Sequence, residues 1–135
     1  MAGCGEEGPP PAECAQARPD DVARLLRAAP AAARLPGGTL LSTCIDRAED
    51  DAELQNLGIV FVAVADRLSA RSNDDPAAAF QLGFLIGAAQ RGAGPTGGTQ
   101  AELIQRLQQT IAFRAERAAV RAQVLRGIAA GRRSG

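Results

Sequence analysis

Residues 75–91 read DPAAAFQLGFLIGAAQR, and the reading of this stretch decides the fold. Asp74 or Asp75 can accept the first free N–H groups of a helix, and Pro76 suits the first helical position, where its missing donor costs nothing. From Ala77 to Ala89 no residue is charged and Gln81 alone is polar, so this helix is expected to be buried over most of its circumference. Thirteen such residues are too few to cross a bilayer, which takes about 20. Gly83 and Gly87 stand four apart on one face, where a neighbouring backbone can come close. In an exposed helix each would cost ~1 kcal/mol against Ala, so the pair implies a packing role. The stretch reads as the central helix of a small all-α domain.

Working back towards the N-terminus, Leu54, Leu57, Phe61, Val64, Ala65 and Leu68 recur at threes and fours between Ala52 and Ser72. Residues 58–65 are β-branched enough to pass locally for a buried strand. The helical stripe continues on both sides of them, and no partner strand is evident, so a helix is expected. Residues 46–53 hold Asp46, Glu49, Asp50, Asp51 and Glu53. Clustered carboxylates suit calcium or magnesium, but this spacing lacks the alternating ligands, central Gly and closing Glu of an EF-hand loop. They read as a polar corner that complements the next helix N-terminus, and no metal is assigned to them. Leu40, Leu41, Cys44, Ile45 and Ala48 form a further helical pattern. Residues 20–29, led by Pro19, give a short first helix with Val22, Leu25 and Leu26 as its stripe.

Towards the C-terminus, residues 92–98 form a Gly-rich loop without the Lys of a phosphate-binding loop. Thr99 and Glu102 have the spacing of a capping box. One long last helix is expected beyond them, with Leu103, Ile104, Leu107, Ile111, Ala115, Ala118, Ala122 and Leu125 on its apolar face. Gly131 onwards reads as a frayed basic tail. Phe61, Phe80, Phe84 and Phe113 read as core. The expected architecture is an antiparallel bundle of four to five helices with short Gly/Pro loops. Its parts are a flexible tether over 1–18, the bundle over 19–131 and a disordered tail over 132–135.

Composition removes whole classes of chemistry. The 135 residues include no His, and all fifteen basic residues are Arg. Without His there is no usual general base and no Ser-His-Asp or Cys-His pair within one chain. Without Lys there is no Schiff base and no P-loop lysine. No enzymatic activity and no cofactor are expected. The net charge of zero hides a split: residues 1–75 carry −6 and residues 76–135 carry +6. That split can serve an outside partner, but opposed acidic and basic helices within one fold are the plainer expectation. Arg114, Arg117, Arg121 and Arg126 are the candidate contacts for an anionic partner. Nucleic acid is not expected, because no stacking aromatics or reader motif accompany them.

The N-terminal residues Met1-Ala2-Gly3-Cys4 resemble the lipobox of bacterial lipoproteins, in which Leu-Ala-Gly precedes a cysteine that is cleaved and lipidated. Residues 6–12, EEGPPPA, have the composition of the tether that follows such a cysteine. The resemblance covers about five residues of the 135. Met1 stands where Leu is usual, and the basic and apolar segments of a signal peptide do not precede it in this sequence. The resemblance implies lipidation at Cys4 and a place at the cell envelope, anchored by lipid and with no transmembrane helix.

It also leaves Cys14 and Cys44 as an even pair, free to bridge in an oxidising compartment. A bridge there would pin the end of the tether to the second helix, worth ~3 kcal/mol in the chain-entropy model. In a reducing compartment the same cysteines would be inert small residues. Three Cys without His match no common structural zinc site. The leading expectation is therefore a non-enzymatic helical lipoprotein domain that acts through protein contacts. The alternative is a cytoplasmic module whose Arg-rich C-terminal helix binds nucleic acid or an acidic partner. The oligomeric state is left open.

Overall fold

The computed structural model describes residues 9–48, 50–94, 100–112 and 117–135. They form seven helices, and no strand occurs among the described residues. In order these are α1 (Ala12–Gln16), α2 (Pro19–Arg27), α3 (Leu41–Asp46), α4 (Asp51–Arg71), α5 (Pro76–Ala93), α6 (Ala101–Ala112) and α7 (Ala118–Ser134).

Helix α5 is the centre. Asp75 caps it, its carboxylate accepting from Ala77 N at 3.0 Å, and Pro76 occupies the first turn. Every residue from Leu82 to Ala89 is buried, as the near-absence of polar side chains requires. Helices α2, α3, α4, α6 and α7 all pack against it. Helix α4 joins it through the short turn at residues 72–75 and buries Leu57, Phe61, Val64, Ala65 and Leu68. Residues 58–65 are thus helical throughout.

The tightest packing is between α5 and α7. Gly83 lies against Val124 O and Ile128 N, and Gly87, one turn on, against Ile128 O and Arg132 N. Reciprocally, Gly127 lies on Phe80 O and Gly131 on Phe84 O. A Cβ at any of the four would overlap a carbonyl oxygen of the facing helix. Small residues at this spacing let two helix backbones touch, and Cα–H groups then meet carbonyl oxygens across the interface. The positions rise together along both chains, so α5 and α7 run parallel. Helix α6, packed on α4 and α5, lies between them in sequence.

Several expectations are corrected here. Seven helices replace four to five, and the principal pair is parallel rather than antiparallel. The expected single last helix is two: α6 ends at Ala112, and α7 starts at Ala118 after the extended backbone of its N-cap, Arg117. The change of phase between them matters: Leu103 and Leu107 of α6 are buried, but Ala118, Ala122 and Leu125 of α7 are exposed. Val120, Val124, Gly127, Ala130 and Gly131 form the buried face instead, because the glycines fix which side meets α5. The tail is not frayed: α7 runs through Ser134, and the backbone oxygen of Gly135 accepts from Ser42 Oγ at 2.6 Å. Within the stretch expected as tether, Ala12–Gln16 is helical and Cys14 is buried. Residues 1–8, Thr99 and Phe113 lie outside the described residues.

The close approach reverses the usual sign of a Gly→Ala change. In an exposed helix such a change gains about 1 kcal/mol. Here Gly83→Ala and Gly131→Ala are each expected to lower the unfolding free energy by about 1–3 kcal/mol through overpacking. Gly58, whose added Cβ would make an ordinary 3.5 Å contact with Leu103 Cδ1, is the control. Urea unfolding of Gly58→Ala should show unchanged or slightly raised stability.

Candidate functional site

Two features stand out from the packed bundle: the junction that fixes the N-terminal segment, and a groove between α4 and α6. The junction is made by neighbouring residues of α1. Cys14 and Cys44 are joined in a disulfide, with a Cα–Cα distance of 5.5 Å, across a separation of 30 residues. Beside it, the Glu13 carboxylate accepts from Gly37 N at 2.6 Å and Thr39 N at 3.1 Å. Helix α1 has only 5 residues and no side-chain cap, so it cannot be stable alone. The covalent bond and the carboxylate hold it. Closing a loop of this length contributes about 3–4 kcal/mol in the chain-entropy model.

Glu13 is half-buried, and its carboxyl is held below the usual range. The Thr39 hydroxyl is the main cause; partial burial opposes it, and the Gly37 and Thr39 N–H groups add to it. All these donors favour the charged form. The turn they belong to, residues 35–39, is closed by Leu35 N donating to Thr39 O at 2.9 Å. Glu13 therefore organises the loop that leads into α3, while Cys14 grips α3 itself.

The groove runs along one face of α4. Asp51, Leu54, Gln55, Gly58, Ile59, Val62, Ala63 and Asp66 line it from that side, and Ala101, Glu102, Leu103 and Arg106 from α6. It is open and encloses about 1080 Å³. Its floor is apolar, and three carboxylates face it against one guanidinium. That guanidinium is already paired, Arg106 Nη2 lying 2.8 Å from Glu102 Oε1. Ile59, which projects between Asp51 and Asp66 along α4, is 65% exposed. A smaller hollow lined by Gln90, Arg91, Gly94, Ile104 and Arg132 has its guanidiniums in use, Arg132 on Gln90 Oε1 at 2.7 Å and Arg91 on Gly135 O at 3.3 Å.

Of the site residues read from sequence, Cys14 and Cys44 are brought together. Cys4 and Arg114 lie outside the described residues. Arg117, the N-cap of α7, and Arg121 and Arg126 on that helix are exposed. The acidic corner does what a helix start needs: Asp50 Oδ1 accepts from Glu53 N at 2.8 Å and caps α4. Among the described residues no group of three His, Cys, Asp or Glu side chains is arranged to hold a metal ion. Among them, too, no helix is long and apolar enough to cross a membrane. The groove was not anticipated, although Ile59 falling off the stripe of α4 was its legible sign. Comparison with protein-family models, curated proteins and solved structures finds no match.

Two outcomes test the junction. Reduction, or Cys44→Ser, is expected to lower the unfolding free energy by about 3–4 kcal/mol. The Glu13 contribution has a defined pH sign. Because the folded-state pKa is depressed, the stabilisation is full above the ordinary value of about 4.3 and fades as pH falls through the lower folded value. Denaturant unfolding should therefore show a gap between the protein and Glu13→Gln at neutral pH that closes in acid.

Proposed function

We propose that this chain is the disulfide-stapled helical domain of a bacterial lipoprotein, tethered to the cell envelope through Cys4 and acting by protein contacts. The observation that carries the reading is the Cys14–Cys44 bond, ten residues beyond the lipobox-like Cys4. Disulfides persist in exported proteins and are rare in a reducing cytoplasm. Pairing of Cys14 with Cys44 leaves one cysteine over, and Cys4 is the residue the lipobox pattern would modify. The absence of His and Lys from the chain supports binding over catalysis. So does the use of Asp50 and Asp75 as helix caps rather than as paired acids. The α4–α6 groove offers a surface for such contacts.

A second reading is favoured by the outward arginines of α7. In it the chain is a cytoplasmic module, its cysteines are free, and Arg117, Arg121 and Arg126 bind nucleic acid or an acidic partner.

Mass analysis of protein taken without reductant from its native cells separates the two. The first reading expects a Cys14–Cys44 linked peptide and a diacylglyceryl group on Cys4, in the membrane fraction. Soluble protein with three free thiols overturns it. The second reading then expects binding to DNA or RNA at low salt that weakens steeply as salt is raised.

A further inference from the structure

Two large apolar side chains are exposed among the described residues: Ile59 at 65% and Leu125 at 58%. They lie on surfaces of opposite charge. Ile59 sits in the α4–α6 groove, between Asp51 and Asp66 on α4 and near Glu102 on α6. Leu125 sits on the outer face of α7, which the parallel pairing with α5 turns away from the core. At 100° per residue Ala118, Ala122, Leu125 and Ala129 fall in one narrow stripe, and all four are exposed. Arg126 and Arg133 flank the stripe on one side, and Arg121 and Arg132 on the other, where Arg132 also donates to Gln90 Oε1.

We infer that α7 of one copy of this chain docks into the α4–α6 groove of a second copy. The occupant is named by charge and size together. An apolar floor with a carboxylate at each end calls for an apolar helix edged with cations, and α7 presents one. Asp51 to Asp66 spans about 22 Å of α4, and Arg121 to Arg132, on one side of the stripe, about 16 Å of α7, at 1.5 Å per residue. The stripe is made of Ala and a single Leu, so a helix bearing it can settle close to the groove floor at Gly58 and Ala63. Arg67–Asp20, Arg24–Asp21 and Arg106–Glu102 each join residues of the same half of the sequence. The two halves of the sequence carry formal charges of −6 and +6.

Groove and stripe are different patches, so the contact is heterologous, and repeated copies extend head to tail unless the rotation closes a ring. The inference does not depend on export or lipidation.

Sedimentation of the full chain tests it. The expected result is mass that grows with concentration past a dimer and falls back as salt is raised to about 1 M, where the Debye length is ~3 Å. Ile59→Arg closes the groove and Leu125→Glu spoils the stripe. Both sites are exposed, so thermal melts should match the unaltered protein, and each variant alone should associate at least ~10-fold more weakly. Mixed one to one, the two variants retain one intact groove and one intact stripe and should give a heterodimer that grows no further. An unaltered chain that stays monomeric overturns the inference, including the case in which a basic amphipathic peptide binds the groove instead. So does a mixture that stays monomeric, or an assembly that neither substitution weakens.

Discussion

The contact on which the rest of the structure depends is the one between bare backbones of α5 and α7. Gly83 and Gly87 meet Gly127 and Gly131 in a reciprocal pattern, each under a carbonyl of the other helix. At that distance nothing larger than hydrogen fits, so rotation and sliding of α7 are both locked. Its outward stripe, its buried valines and the docking of Gly135 beside Ser42 all follow from that single phase. A parallel pair also requires the chain to travel back between its members, and α6 lies in that interval, packed on α4. The α4–α6 groove is thus a consequence of the glycine contact, not an independent feature.

The N-terminal end is held by a different principle. Its helices are short: α1 has 5 residues and α3 has 6. Elements of that length gain too little from hydrogen bonding to stand alone, and their apolar side chains bury modest area. A covalent link between them restricts the unfolded chain instead of adding folded contacts. Glu13 complements it by satisfying two backbone donors of the 35–39 loop that would otherwise rely on water. Adjacent side chains on one short helix thereby fix both the loop and the helix after it.

The surface carries the functional argument because the interior is given over to packing. Among the described residues no buried side-chain polar atom lacks a hydrogen-bond partner. Ser69 and Ser42 are buried, but they tie α4 to Thr110 O and α3 to Gly135 O. What distinguishes the surface is its segregation, carboxylates around one apolar groove and guanidiniums around one apolar stripe. Segregation of this kind steers encounter and fixes orientation more than it adds affinity.

Much was legible from local pattern alone. A helix start at Asp74 or Asp75, an acidic corner ahead of the helix that holds 58–65, and the central place of residues 75–91 follow from propensity, spacing and the absence of polar side chains. These properties are local, so the sequence by itself determined them. The pairing of Cys14 with Cys44 was open to the same reading because only the lipobox resemblance set Cys4 aside. The direction of α7 was not legible. Its stripe of Ala118, Ala122 and Leu125 follows helical spacing as well as any buried face, and periodicity does not say which side a helix shows to its neighbour. Only the tertiary structure decided that, since the glycines of one helix acquire their meaning from the glycines of another some forty residues away. The groove belongs to the same class: Ile59 falls visibly off the stripe of α4, but the groove's residues come from α4 and α6, and which helix lies beside Ile59 is settled only by the tertiary packing.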